Sequence, residues 1–167
     1  MADIKFNDFS FEVIGALEKL AQNTLEEVAG ELESQIKKNS PVSKVKNDGS
    51  GLKNSWKHYV RKSGDGYTAT IGSPLERALW VEFGTGEYAL HGNGRKGGWF
   101  IPVGSGKGYI SEAVAEAYGF TIRKGKGGKK WVYTQGMKPQ RPVYKAYTSL
   151  KNKLIRHMQD TFKGGLS

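Results

Sequence analysis

From Ile14 the apolar positions run Ile14, Leu17, Ala21, Leu25, Val28, Leu32, Ile36, with gaps of three and four throughout. This is the stripe of one long amphipathic helix. Ser10 is placed to cap it. Lys37 and Lys38 suit its carbonyl end, and Asn39-Ser40-Pro41 stops it because proline disfavours helical geometry at the residue before it. A helix over 11–39 is predicted, about 43 Å long at ~1.5 Å per residue. After Pro142 a second stripe, Val143, Tyr147, Leu150, Leu154, Met158, Phe162, predicts a helix over 142–163, with Gly164-Gly165 as its stop. The first helix is rich in acids, and the second carries Lys145, Lys151, Lys153, Arg156 and Lys163. They can pack side by side or against neighbouring subunits, and the pattern leaves both open.

Between these segments the period changes to two. Trp56, His58, Val60 alternate with Lys57, Tyr59, Arg61, and Tyr67, Ala69, Ile71 alternate with Thr68, Thr70. Joined by Ser63-Gly64-Asp65-Gly66, they predict a β-hairpin. Leu79 to Phe83 is an apolar run too short for periodicity to type. Trp99 to Val103 and Trp131 to Thr134 are further strand candidates, and Ser111 to Tyr118 reads as a short helix closed by Gly119.

The chain has 167 residues, the size of one domain with one core. With no cysteine, it has no disulfide, zinc-thiolate or iron–sulfur site and no thiol nucleophile. No segment is apolar enough for a membrane span, and the first residues, with Asp3 and Asp8, do not resemble an export signal. The expectation is a protein made in the host cytoplasm, with no membrane partner. The net charge of +10 is unevenly placed. Residues 1–40 hold eight acids against four lysines, whereas residues 91–141 hold ten basic residues against Glu112 and Glu116.

Gly92-Asn93-Gly94-Arg95-Lys96-Gly97 has the spacing of a dinucleotide loop, but the strand needed before it and the helix needed after it are missing. Gly104 to Gly108 lacks the terminal residues of a phosphate-binding loop. His58, His91 and His157 show no metal-ligand spacing. No cofactor and no metal are expected. Glu82 stands in an apolar run and needs a partner, for which an ion pair, structural or at an interface, is the expectation, with no second carboxylate or nucleophile beside it. Arg123 to Lys130 is either a solvated hairpin tip or a phosphate-contacting loop. Trp99, Tyr109, Trp131 and Tyr133 flank it as possible stacking surfaces.

Three stretches carry a family resemblance. The first is Ser40-Pro41-Val42 followed by Gly51-Leu52-Lys53-Asn54-Ser55-Trp56. The second is Ile71-Gly72-Ser73 followed by Ala78-Leu79-Trp80-Val81-Glu82-Phe83-Gly84-Thr85. The third is Gly136-Met137-Lys138-Pro139-Gln140-Arg141-Pro142-Val143-Tyr144-Lys145-Ala146. In this order, between two helices, they resemble the tail-component proteins of long-tailed bacteriophages, the small neck or tail-completion proteins that join head to tail. The chain departs from that pattern in a longer connection from Lys44 to Ser50, in an aromatic displaced to Tyr144, and in an insert over 87–135.

The resemblance implies an α+β fold without catalytic residues, built into the virion neck as a ring, with a hexamer favoured. It also gives Pro41 and Gly51 a part in shaping the turn into the first strand, and Gly84 a backbone conformation or close approach that a side chain would block. The combined expectation is one α+β domain over 1–167, an antiparallel sheet of about four to six strands packed by the two helices. The β-rich middle spans 52–135. Assembly contacts are expected at Leu25, Leu32, Ile36, Trp80, Glu82, Phe83, Gly84 and Thr85. Basic loops at Arg95, Lys96, Lys107, Arg123, Lys124, Lys126, Lys129 and Lys130 are expected to face other neck and tail proteins or passing DNA, with tips at Gly92–Gly98, Gly104–Gly108 and Lys124–Lys130 mobile in the free subunit. Alternative readings are a basic nucleic-acid-binding protein acting outside a ring, and a small hydrolase.

Overall fold

The computed structural model describes residues 10–44 and 51–165, the side chains of 10–12 apart. In chain order it comprises α1 (Ser10–Asn39), α2 (Gly51–Ser55), β1 (Lys57–Ser63), β2 (Gly66–Gly72), α3 (Glu76–Phe83), β3 (Trp99–Val103), α4 (Glu112–Ala117), β4 (Ile122–Lys124), β5 (Lys130–Thr134) and α5 (Pro142–Gly165). The class is α+β, as the pattern predicts. Its five strands are divided between two antiparallel sheets, the hairpin β1–β2 and a three-stranded sheet ordered β3-β5-β4. The division follows from α3, because the untyped run Leu79 to Phe83 is helical and separates the two groups of strands. The capping role expected of Ser10, and the connection from 45 to 50, lie outside the described residues. A short helix, α2, stands between Pro41 and the first strand. Gly51 packs closely on the Arg77 guanidinium.

α1 lies against both α5 and the β1–β2 hairpin. The two long helices run antiparallel. Asn39 Nδ2 donates to the Pro142 carbonyl at 3.3 Å, Lys153 pairs with Glu31, His157 with Glu27, and Gly165 meets Leu20. The opposite charges of the two helices thus meet within one subunit. α5 is helical through Gly164 and ends, as described, at Gly165, two residues past the predicted 163. On the hairpin, His58, Val60 and Lys62 share a face with their cross-strand partners Ile71, Ala69 and Tyr67. His58 and Lys62 from this set reach the acids of α1.

The core gathers Ile36 from α1, Leu52, Trp56, Ala78 and Val81 from the middle, and Ala146 from α5. Leu32, Ile71, Met137 and Val143 pack against it. Two polar groups are bound into this apolar centre. Ser40 Oγ donates to the Ile36 carbonyl at 2.8 Å and accepts from Trp56 Nε1 at 2.9 Å. The serine before the helix-stopping proline therefore pairs the buried indole N–H, which would otherwise carry a desolvation cost.

Glu33 is the second. Its carboxylate accepts from Lys37 and from the backbone amide of His58 at 2.7 Å, and lies 2.6 Å from His58 Nδ1. Burial would raise its pKa. The hydrogen bonds from Lys37 and His58, with the Lys37 charge, outweigh burial and lower it from 4.5 to about 2. Glu33 therefore adds stability above pH 4.5 that is lost as pH falls toward 2. In urea titrations the parent is expected to lose stability over that window. Glu33→Gln is expected to be weaker at pH 7 and flatter between pH 4.5 and 2. An equal slope in both proteins would assign the acid sensitivity elsewhere.

Candidate interaction surfaces

The second and third motif stretches meet at one junction. Val81 offers its carbonyl to the amides of Gln140 (2.8 Å) and Arg141 (3.2 Å). The next residue, Glu82, is buried, and its carboxylate accepts from the amides of Val143 (2.8 Å) and Tyr144 (3.1 Å). These belong to the first turn of α5, whose donors have no partner within the helix. Pro142 occupies the first helical position, where a missing N–H costs nothing. A carboxylate from α3 thus caps a helix some sixty residues later in the chain, where its charge also suits the positive end of the macrodipole.

Gly84 and Thr85 complete the junction. Gly84 has φ of 74°, and a Cβ there would lie 2.8 Å from the Tyr88 carbonyl oxygen and 2.9 Å from that of Met137. Thr85 N donates to the Met137 carbonyl, and Met137 N donates to Thr85 Oγ1, both at 2.9 Å. Glu87 N continues the pairing to the Gln135 carbonyl. Ser55 and Ser73 hydroxyls meet at 2.7 Å, tying the first stretch to the start of the second.

This placement sorts the expected assembly residues. Ile36 is 1% exposed and belongs to the subunit core, which corrects its placement among contacts to other subunits. Leu32 packs on that core, and Leu25 lies in a cleft between α1, β2 and α5 with Tyr67, Met158 and Phe162. Glu82 has two backbone amides as partners in place of the expected ion pair, and Gly84 and Thr85 serve the same junction. Trp80 and Phe83 stay exposed on α3 beside Leu79, with the Phe83 ring 5.0 Å from His91.

The basic residues occupy several places. Arg123 and Lys124 lie on β4, and Lys126 and Lys129 project at the exposed turn into β5. Lys130 is paired with Glu112. Arg95 sits over Trp99 at 5.4 Å, and Lys96 and Lys107 are exposed in loops. The stretch from Gly92 to Gly98 is not open throughout. A Cβ at Gly94 would strike Gly86, and one at Gly98 would strike Tyr133.

Strand register gathers one side of the three-stranded sheet. Phe100 faces Tyr133, Pro102 faces Trp131, and Arg123 faces Trp131, so these five share a face. The rings of Phe100 and Tyr133 lie 5.3 Å apart. The opposite face buries Val132, and Ala115 of α4 is equally buried. Phe100 escapes the sequence reading, although the alternation along Trp99 to Val103 places it beside Tyr133 and Trp131. Among the described residues, no group of three or more His, Asp or Glu side chains is placed to hold a metal. No described helix is long and apolar enough to cross a membrane.

Residues 9–84 match the family described as "Bacteriophage HK97-gp10, putative tail-component". That span runs from the start of α1 to the glycine after α3, and it holds the first two motif stretches. No curated protein and no solved structure matches the chain. Over that span, less than half of the chain, the match supports a structural role as a phage tail component.

Removing the cap carboxylate is a sharp test of the junction. Glu82→Gln keeps an acceptor but loses the charge, and is expected to cost about 1 kcal/mol, against roughly 2 kcal/mol or more for Glu82→Ala, which leaves buried amides without a partner. Thermal and urea unfolding measure both. Gly84→Ala is expected to be worse than either, because the strained φ and the two carbonyl contacts act together.

Proposed function

We propose, on the premise of a phage tail-component family over residues 9–84, that this chain is a neck or tail-completion subunit. In this reading several copies form a ring that joins head to tail and lets DNA through. The observation that carries the reading is the use made of Glu82. The one carboxylate set in the motif-bearing apolar run caps α5 from a buried position, so the motif residues hold the fold together instead of lining a reactive cleft. What the subunit turns outward is apolar and cationic surface at α3, at the β3-β5-β4 sheet and at its basic turn.

Several copies of a basic turn held close in a ring repel one another unless negative charge lies opposite. Acidic surface on a neighbouring neck protein meets that need, and so does DNA phosphate. The protein partner fits better, because passing DNA has to slide. A second reading, a nucleic-acid-binding protein acting outside a ring, draws on the exposed face of Phe100, Trp131, Tyr133 and Arg123, since aromatic faces beside cations stack on bases.

Light scattering with negative-stain imaging of the purified protein separates the two. The ring reading expects a closed oligomer, and a chain that stays monomeric up to high concentration overturns it. Converting Lys124, Lys126 and Lys129 to Gln is expected to leave the fold and the oligomer unchanged and to weaken head-to-tail joining. Any DNA binding should lose about 1 unit of salt slope for each neutralised lysine that touches phosphate. Full infectivity in that triple variant would make the turn an ordinary solvated surface. No nuclease, esterase or phosphatase turnover is expected, with or without divalent metal, and a turnover abolished by Glu82→Gln or His91→Ala would overturn the structural reading.

A further inference from the structure

Apolar surface stays open at both ends of α1. Val13 and Ile14 lie beyond the reach of α5 and are exposed, and a groove of about 390 Å³ after the helix has Val42 and Trp80 in its walls. Apolar contact alone selects no occupant for either. The β3-β5-β4 sheet presents a more selective surface, because backbone, charge and shape coincide at one of its edges.

β4 ends the sheet on one side. Gly125 N donates to the Lys129 carbonyl at 2.8 Å, so these two residues face each other as a hydrogen-bonded pair. Alternation along the antiparallel ladder makes Arg123 and Trp131 the next such pair, and turns the N–H and C=O groups of Ile122 and Lys124 away from β5. Among the described residues these outward groups have no partner. The other edge differs. There Ile110 N donates to the Pro102 carbonyl at 3.0 Å and Gly104 N to the Ile110 carbonyl at 2.9 Å, which closes the end of β3.

A slot of about 450 Å³ opens beside the free edge, lined by Phe100, Arg123, Lys124, Gly125 and Trp131. Phe100 is 54% exposed, so apolar ring surface faces water there. Among the described residues Arg123, Lys124, Lys126 and Lys129 have no carboxylate partner, whereas Lys130 is paired with Glu112. Cations on a short edge strand guard it against pairing with ordinary strands. The same cations select an acidic one.

From this arrangement we infer that β4 accepts an extended acidic segment of a neighbouring virion protein as an added strand. Its main chain pairs with Ile122 and Lys124, an apolar side chain enters the slot, and its carboxylates lie against Arg123 and Lys124. DNA meets this edge less well. A nucleic-acid strand sets phosphates against the outward carbonyls of Ile122 and Lys124, whereas a peptide offers the alternating donors and acceptors that pair both kinds of group. The inference rests on the reading of the chain as a virion subunit with protein neighbours, and adds where and how one of them docks.

The probe is a short capped peptide of alternating valine and glutamate, titrated into the intact chain at low salt and followed by amide NMR. Saturable binding is expected, with the amides of Ile122 and Lys124 gaining protection from hydrogen exchange and the affinity falling as salt rises. Lys124→Gln removes one exposed charge and keeps the edge, and is expected to weaken the complex roughly threefold. Lys124→Pro loses the same charge and also the outward N–H, at a position where β5 needs none, and is expected to weaken it roughly tenfold further. A probe N-methylated at every amide keeps its charges and side chains, and is expected not to bind.

Equal affinities for the plain and N-methylated probes, or for Lys124→Gln and Lys124→Pro, reduce the contact to charge and overturn strand addition. So does a lack of saturable peptide binding. Tighter binding of an oligothymidylate of equal charge overturns it in favour of nucleic acid. If Lys124→Pro fails to fold, the N-methylated probe decides. Light scattering of the parent keeps the two readings apart: a closed oligomer that ignores the peptide refutes this docking alone, and a monomer that binds it refutes the ring alone.

Discussion

The architecture depends on one junction, the docking of Val81 to Thr85 on Met137 to Tyr144. A long helix entering a protein from a loop brings unpaired amides with it, and here the Glu82 carboxylate and the Val81 carbonyl take four of the amides on and just before α5. With its start fixed on α3, α5 is directed along α1, and its small, fully buried Ala146 admits the close approach of the core. Gly84 is needed because the chain turns beneath two carbonyls within 3 Å of where a side chain would begin. A structure with this junction broken would keep its helices but lose the direction of the second one.

The charge distribution has a similar economy. The acids of α1 are shared between two neighbours, Glu27 and Glu31 going to α5 and Glu18, Glu26 and Glu33 to β1. Most of these pairs are exposed and worth little individually. Glu33 differs because burial raises the cost of leaving it unpaired, and Lys37 and His58 answer that cost. With five acids of α1 engaged inside the subunit, much of the positive charge of the insert stands apart from them. It sits on β4, on the turn into β5 and in the loops before β3 and α4, which is the physical ground for looking outside the subunit for what opposes it.

The motif stretches and the outward surfaces divide the work. Ser40 and Trp56, Ser55 and Ser73, Glu82 and the α5 amides are pairings inside the fold, made between segments distant in sequence. Residues between them, Val42 and Trp80 above all, emerge on the groove beside α1. The same stretches therefore fix the core and present a surface, so substitutions within them need both stability and assembly measurements to be understood.

The sequence alone determined the two long helices, the hairpin, the short helix closed by Gly119 and the α+β class, because periodicity and local stop signals act over a few residues. It also carried the family resemblance that the match over residues 9–84 supports. Only the tertiary structure decided that Leu79 to Phe83 is helical, since the run is too short for its period to speak and its state follows from packing against α5. Only the tertiary structure divided the strands into two sheets, sent Ile36 to the core, and gave Glu82 two backbone amides where a cation was expected. The partners of a buried carboxylate lie some sixty residues away in the chain, and no local pattern records them. The exposed end of α1 is a like case. A difference in helix length was readable in the chain, but which end would overhang depended on where α5 begins, and the junction with Glu82 sets that.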